Sequence, residues 1–199
     1  MGCYGDKNAK TPTFDKFATE GLRLNACMST TPVCCPYRAT LMSGQYAHKN
    51  GMMSNGSQFK PTTKCLGETF RDAGYEMGYF GKWHLGRASA KTDPTWGFPP
   101  PQTKNGVYTF NRTPTPTTDL ALRFIKENSS EKKPWMLFVS WIWPHSPYNP
   151  PDKLRADFPN VKLLPNVPPG KPSEFAKESL PGYYGMIEGV DREFARLLK

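Results

Sequence analysis

The run Trp135-Met136-Leu137-Phe138-Val139-Ser140-Trp141 constrains the fold more than any other segment of the chain. It is nearly continuous in apolar side chains and lacks the polar alternation of a strand with one wet face. Such a run reads as a buried strand of a parallel sheet, and a parallel sheet needs helices over its faces. The rest of the chain alternates accordingly. Thr11-Pro12 predicts a cap with Pro at the first helical position, and Gly21 predicts the stop. Leu22–Met28 reads as a short strand or extended segment. A helix is expected from Cys34 to Gly44, another over Leu66–Ala73 with Gly74 as its stop, then a strand over Tyr75–Phe80. Residues 87–116 read as irregular. Thr118 or Asp119 is the expected cap of a helix running through Glu127. Pro181–Lys199 reads as helical, with Ile187, Val190, Phe194 and Leu197 at 3-4 spacing. The fold class predicted is α/β.

Composition excludes several functions. At 199 residues the chain can bury a sizeable core, and 37% of it is apolar. No run of apolar residues is long enough to span a membrane, and no basic-then-apolar leader follows Met1. The net charge is +9, but Lys and Arg are scattered. No basic patch or recognised module marks a nucleic-acid binder. Excess positive charge suits an anionic substrate, although simple solubility explains it equally well. The cysteines number five, without paired spacing beyond Cys34-Cys35, so neither a disulfide framework nor a zinc knuckle is indicated. Cys3, Cys27 and Cys65 read as core or incidental thiols.

Three segments carry chemistry. In Cys34-Cys35-Pro36-Tyr37-Arg38, the four-residue spacing puts Cys34 and Arg38 on one face of a helix. A nucleophile at a helix start lies among free N–H groups, at the end of the dipole that favours anions. A lone Cys is also a common small hydrophobe, and an adjacent pair also suits metal ligation or a disulfide. In Gly81-Lys82-Trp83-His84-Leu85-Gly86, Lys82 and His84 share a face if Tyr79–Leu85 is extended. Lys82 offers a compact positive charge and His84 a donor or proton shuttle; a solvated Lys and a satisfied surface His are the alternative. Trp143-Pro144-His145-Ser146-Pro147-Tyr148 leaves the C-terminal end of the predicted strand, where α/β proteins build their sites. His145 is the candidate there, against a His packed in a Pro-rich turn. His48 reads as a supporting or a structural residue.

Taken in order, these segments resemble the two signatures of the type I sulfatases of the alkaline phosphatase superfamily. Cys34, Pro36 and Arg38 fit C-x-P-x-R, whereas counting from Cys35 places Pro36 and Arg38 wrongly. The family usually has Ser or Ala at the position of Tyr37. The resemblance implies an alkaline phosphatase-like sandwich, with a mostly parallel central sheet flanked by helices. It implies that a formylglycine-generating, sulfatase-maturing enzyme oxidises Cys34 to formylglycine, whose hydrate attacks sulfur. By the same resemblance Arg38 stabilises the ionised diol, Lys82 binds the sulfate, His84 holds the hydrate and His145 protonates the leaving alcohol. Ca2+ is the implied metal. Cys34, as formylglycine, is its one expected ligand here, the carboxylate ligands being expected before Met1 and after Lys199. Residues 1–199 are thus expected to be part of a catalytic domain, with its first strand and C-terminal part lying outside. The implied activity is sulfuric ester hydrolysis on a sulfated sugar or related alcohol. A phosphonate monoester or phosphodiester hydrolase, and an inactive fragment, are the rival expectations. The family's habit implies a periplasmic or secreted protein.

Overall fold

A computed structural model of the chain describes residues 1–85, 96–99, 113–130 and 132–199. Its elements run, in order, as a short 3-10 turn at Gly2–Tyr4, α1 (Pro12–Glu20), α2 (Cys34–Ser43), α3 (Ala47–Asn50), α4 (Leu66–Asp72), β1 (Glu76–Gly81), α5 (Thr115–Asn128), β2 (Trp135–Ser140), α6 (Asp152–Ala156) and α7 (Lys171–Leu197). Two compact units share them: residues 1–25, 111–118 and 141–199 form the first, residues 26–110 and 119–140 the second. Among the described residues no helix is long and apolar enough to cross a membrane.

The first unit is helical. Phe14 and Phe17 of α1 pack on Phe194 of α7, the first stacked at 4.5 Å between ring centroids and the second edge-on at 5.3 Å. Thr11 stands at the N-cap of α1 as predicted, but its hydroxyl does not cap the helix; it donates to Asp15 instead, at 3.0 Å. The capping acceptor is remote. The carboxylate of Asp191, on α7 and 2% exposed, takes the N–H groups of Thr13 at 3.1 Å and Phe14 at 2.8 Å. On α7, Gly182, Gly185 and Gly189 form a stripe at 3-4 spacing. A Cβ at Gly182 would lie 2.0 Å from the carbonyl oxygen of Tyr148, and one at Gly189 2.6 Å from the Trp143 ring. Bare backbone is required wherever the 143–155 segment, including α6, presses on α7, which offsets the helix propensity lost at each glycine.

α7 begins ten residues before the predicted start, at Lys171 rather than Pro181. Pro181 lies inside the helix, where it removes an N–H donor; the Glu178 carbonyl nearby accepts from Arg155 at 2.7 Å. The start is marked instead by Pro172 in the first turn after Gly170. α5 likewise begins at Thr115, ahead of Thr118 and Asp119. Thr118 is no cap because its hydroxyl bonds back to the Pro114 carbonyl at 3.2 Å and accepts the Trp141 indole N–H at 3.0 Å. Leu22–Met28 forms no strand. Of the stretch predicted irregular, 87–95 and 100–112 lie outside the described residues, and 115–116 open α5.

The second unit holds the sheet. β1 and β2 pair in parallel, with Glu76 opposite Trp135 and Gly81 opposite Ser140. β2 ends at Ser140 and is only half-buried along most of its length, whereas Met77, Gly78 and Tyr79 of β1 are buried. Gly78 admits α5: a Cβ there would meet the Phe124 ring at 3.0–3.1 Å. The core gathers Cys35, Ala39 and Met42 of α2 with Met52, Phe59, Cys65, Met77, Tyr79, Trp83, Leu85 and Phe98. Tyr79 is its aromatic hub, stacked on Phe138 at 5.0 Å and edge-on to Trp83 at 4.9 Å and Phe98 at 5.2 Å. α4 starts with a capping box in which the Cys65 side chain takes the Glu68 N–H and Glu68 returns to the Cys65 N–H at 2.9 Å.

Candidate active site

Cys34 is the first residue of α2, so its side chain stands where the helix has unpaired N–H groups. Val33 occupies the N-cap in extended conformation and has no side-chain acceptor to offer. Asn55 supplies one from another loop: its side-chain oxygen takes the Cys35 N–H at 3.0 Å. Pro36, third in the helix, needs no acceptor because it has no N–H. The helix start is therefore finished by a residue twenty positions downstream, and the first turn is held with Cys34 half-exposed.

The adjacent cysteines are chemically distinct. Cys35 points into the core at 3% exposure. Burial is the main cause pushing its thiol up from the ordinary cysteine range, the neighbouring Cys34 adds to the rise, and Lys82 and Arg38 oppose it. A buried thiol held protonated is a poor nucleophile. Cys34 instead faces a cation: the Lys82 ammonium lies 3.7 Å from its sulfur.

Arg38, one helical turn after Cys34, reaches the ends of both strands. Its Nη1 donates to the Lys82 carbonyl at 2.6 Å, to the Ser140 hydroxyl at 2.8 Å and to the Tyr79 hydroxyl at 3.3 Å. Tyr79 in turn donates its hydroxyl proton to the Lys82 carbonyl at 2.6 Å. Burial pushes the Tyr79 phenol up from its ordinary value, so it stays a donor, although the Arg38 charge and a hydrogen bond with Ser140 pull the other way. The Lys82 N–H donates to the Ser140 carbonyl at 2.8 Å, one step beyond the ladder. Lys82 is thus fixed at its N–H and at its carbonyl, while its side chain goes to Cys34. Sequence patterns pointed to Cys34, Arg38 and Lys82. Tyr79, Ser140 and Asn55 had no such signal.

The expectation that Tyr79–Leu85 is extended does not hold. β1 stops at Gly81, whose φ of 105° is open to glycine, and His84 adopts φ 61°. Lys82 and His84 therefore do not alternate along a strand. The turn sends Trp83 into the core at 4% exposure and leaves His84 exposed. Gly86 lies outside the described residues. His48 is also exposed and stacks on Tyr46 at 5.9 Å.

His145 belongs to the first unit, five residues after Ser140 in the chain. Its backbone N–H donates to Ile142 at 2.9 Å, and its ring Nδ1 lies 2.8 Å from the Ser146 carbonyl. A carbonyl only accepts, so Nδ1 carries the proton and Nε2 is the atom left to accept or deliver one. The ring is exposed, in a loop bracketed by the cis bonds Trp143-Pro144 and Ser146-Pro147.

The described residues do not form a calcium site by themselves. No group of three or more His, Cys, Asp or Glu side chains comes together among them. The Lys82 ammonium lies 3.7 Å from the Cys34 sulfur and Arg38 follows one turn later on α2; both charges attract an anion. Together with the N-terminus of α2, these groups can hold a tetrahedral oxyanion against whatever atom stands at position 34.

The chain is similar to known proteins along its whole length. An "Ulvan-active sulfatase" of Formosa agariphila is 30% identical over 223 aligned residues, covering 100% of this chain and 43% of that protein. A structure solved in complex with its substrate D-glucosamine-2-N,6-O-disulfate superposes with a TM-score of 0.80 at 19% identity, covering 100% of this chain and 58% of that one. A phosphonate monoester hydrolase of Agrobacterium radiobacter superposes with a TM-score of 0.68 at 20% identity, covering 99% of this chain and 55% of that one. The chain spans about half the length of such relatives. These structural likenesses show the fold, the α/β architecture of the alkaline phosphatase-like sulfatases. The Sulfatase family profile matches residues 1–199, and with the signature cysteine, arginine and lysine assembled at one helix start, the chain belongs to the sulfatase family.

Proposed function

We propose that this chain carries the nucleophile and the sulfate-binding cations of a sulfuric ester hydrolase that acts on a sulfated sugar. The observation that carries the reading is the Cys34 sulfur at the start of α2, 3.7 Å from the Lys82 ammonium, with Arg38 pinned to the strand ends one turn away. Formylglycine made from Cys34 by a maturing enzyme of the family's kind supplies, once hydrated, a hydroxyl nucleophile and a second hydroxyl that lets the sulfate leave.

The chain's own residues do the rest. Lys82 neutralises one oxygen of the incoming sulfate and draws the group to position 34. Arg38 stabilises charge on the nucleophile and on the sulfuryl oxygens, the preorganised electrostatic effect that usually contributes most in such reactions. Their hydrogen bonds to the ends of β1 and β2 hold both cations before substrate arrives, so little reorganisation is needed during reaction. His84 is assigned to hold the hydrated residue at position 34. His145, whose Nδ1 is committed to the Ser146 carbonyl, is assigned to protonate the leaving alcohol through Nε2. The sugar-bearing class of substrate is supported by the named action of the relatives. Residues 1–199 are read as part of a sulfatase catalytic domain, with family-type calcium ligands supplied from outside the described residues, and the compartment as periplasmic or secreted.

Hydrolysis of an aryl sulfate against an aryl phosphonate tests the reading, on an extended protein that includes the expected calcium ligands and is coexpressed with a maturing enzyme. A preference for the sulfate that disappears in Cys34→Ala and persists in Cys35→Ala is expected. Preferential cleavage of the phosphonate would assign the site to the rival chemistry, and loss of activity in C35A alone would move the nucleophile.

A further inference from the structure

We infer that Tyr79 and Ser140 are positioning residues that set sulfate affinity by fixing Arg38 and Lys82 together, an inference that rests on the proposed anion site.

The two hydroxyls act on Lys82, whose ammonium lies 3.7 Å from the Cys34 sulfur, and on Arg38, one turn after it. The Ser140 hydroxyl accepts from Arg38 Nη1 at 2.8 Å, and the Tyr79 hydroxyl donates to the Lys82 carbonyl at 2.6 Å while accepting from the same Nη1 at 3.3 Å. The Lys82 carbonyl consequently receives two donors, one from Arg38 and one from Tyr79, and uses both of its lone pairs. Arg38 Nη1 has only two N–H groups, so its long contact to Tyr79 is the weakest of three. The network therefore has two arms, Tyr79 mainly holding Lys82 and Ser140 mainly holding Arg38, and a hydrogen bond between the two hydroxyls joins them.

The location makes the two hydroxyls hard to replace. Tyr79 is 1% exposed and Ser140 8%, so no bulk water stands ready to take over their bonds. The Tyr79 ring is locked by Phe138, Trp83 and Phe98, which fixes the hydroxyl without help from the site. Gly81 pairs with Ser140 at the last rung of the ladder. Lys82 begins where that ladder gives out, and the left-handed turn at His84 follows two residues later. A residue between a sheet end and a tight turn needs its peptide groups held from outside the strand. Tyr79 and Arg38 do this at the carbonyl, and the Ser140 backbone does it at the N–H. Strand geometry alone sets neither the direction of the Lys82 side chain nor its 3.7 Å approach to Cys34.

Tyr79→Phe keeps the ring and removes the hydroxyl. Ser140→Ala removes the acceptor, and Ser140→Thr restores a hydroxyl on a residue suited to a strand. Inorganic sulfate is titrated by calorimetry into the full chain, with melting temperature measured on the same samples and aryl sulfate hydrolysis run in parallel. Y79F and S140A are each expected to weaken sulfate about tenfold, the size of losing one hydrogen bond to or around a charged group, and S140T to stay within about twofold of the parent. A purely structural role would lower the melting temperature and leave sulfate affinity alone; that result, or no sulfate binding by the parent chain, overturns the inference. Weakened sulfate binding in the variants, with no aryl sulfate hydrolysis by an extended, matured parent that includes the expected calcium ligands, would uphold the positioning role and refute the hydrolase reading. If Y79F does not fold, the contrast between S140A and S140T decides.

Discussion

Replacing Arg38 separates its two duties, holding the strand ends and meeting the anion. Its Nη1 makes two short bonds, 2.6 Å to the Lys82 carbonyl and 2.8 Å to the Ser140 hydroxyl, and one long one of 3.3 Å to Tyr79. Hydrogen bonds to a charged group contribute about 1.5–3 kcal/mol each, so the short pair sets an upper bound of roughly 3–6 kcal/mol. Arg38→Ala loses less than that, because Tyr79 still donates to the Lys82 carbonyl and the Ser140 hydroxyl can rotate to a new partner. The expected loss is about 2–3 kcal/mol, a large share of the roughly 5–15 kcal/mol that keeps a domain folded. Arg38→Lys keeps the charge but has one nitrogen, which cannot span both strand ends and also face an anion. It should lose about 1–2 kcal/mol of stability and, like removal of one preorganised donor, about 10²–10³ in kcat. Urea unfolding gives the first quantity, and turnover of an aryl sulfate by matured protein gives the second. A lysine variant with parental turnover, or an alanine variant within about 0.5 kcal/mol of the parent in stability, would show that the bonds to Lys82 and Ser140 are not what organises the site.

Peptide mass spectrometry after coexpression with a maturing enzyme should find the aldehyde or its hydrate at Cys34 and an unchanged thiol at Cys35. Asp191→Ala strands the Thr13 and Phe14 N–H groups and should destabilise the chain by about 1–3 kcal/mol in urea, with Asp191→Asn intermediate. Burial, aided by the Glu68 charge, pushes the Cys65 thiol from 9.0 up to about 12. Because the fold binds this proton more tightly than the unfolded chain does, the thiol's contribution is complete below pH 9 and is lost as pH rises toward 12, by up to about 4 kcal/mol. Cys65→Ser keeps a capping oxygen and does not titrate there, so its stability should fall less between pH 9 and 12 in an otherwise identical alkaline titration. Gly78→Val drives a branched side chain into the Phe124 ring and should cost about 1–3 kcal/mol in the same urea assay.

What the sequence disclosed and what it hid follow from the range of the interactions. Cys34, Arg38 and Lys82 were legible because short stretches with fixed spacing carry them, and the parallel strand at Trp135 was legible because its run of apolar side chains is local. Asn55, Tyr79 and Ser140 act across 20, 41 and 102 residues of chain respectively, and a hydroxyl or amide among ordinary core and loop residues has no local pattern. The misplaced starts have the same origin. Pro181 looked like a first-turn proline, but packing against the glycine-lined face of α7 carries the helix through it. Thr118 looked like a cap, but the Pro114 carbonyl and the Trp141 indole already occupy its hydroxyl. The extended reading of Tyr79–Leu85 failed at Gly81 and His84, where positive φ values turn the chain and Trp83 is drawn into the core.

The cap that Asp191 places on α1 has a consequence in time. The acceptor for the Thr13 N–H lies 178 residues later in the chain. At roughly 5–20 residues per second a ribosome needs about 9–36 s to make that interval. Throughout it, α1 has neither the Asp191 carboxylate for its first N–H groups nor Phe194 for Phe14 and Phe17. A nine-residue helix is marginal alone, so the segment cannot act as an early nucleus around which later parts assemble. Its order is conferred by a segment made much later, α7. During synthesis Phe14 and Phe17 are an apolar stretch open to chaperones, and the arrival of α7 half-buries Phe14 while leaving Phe17 52% exposed.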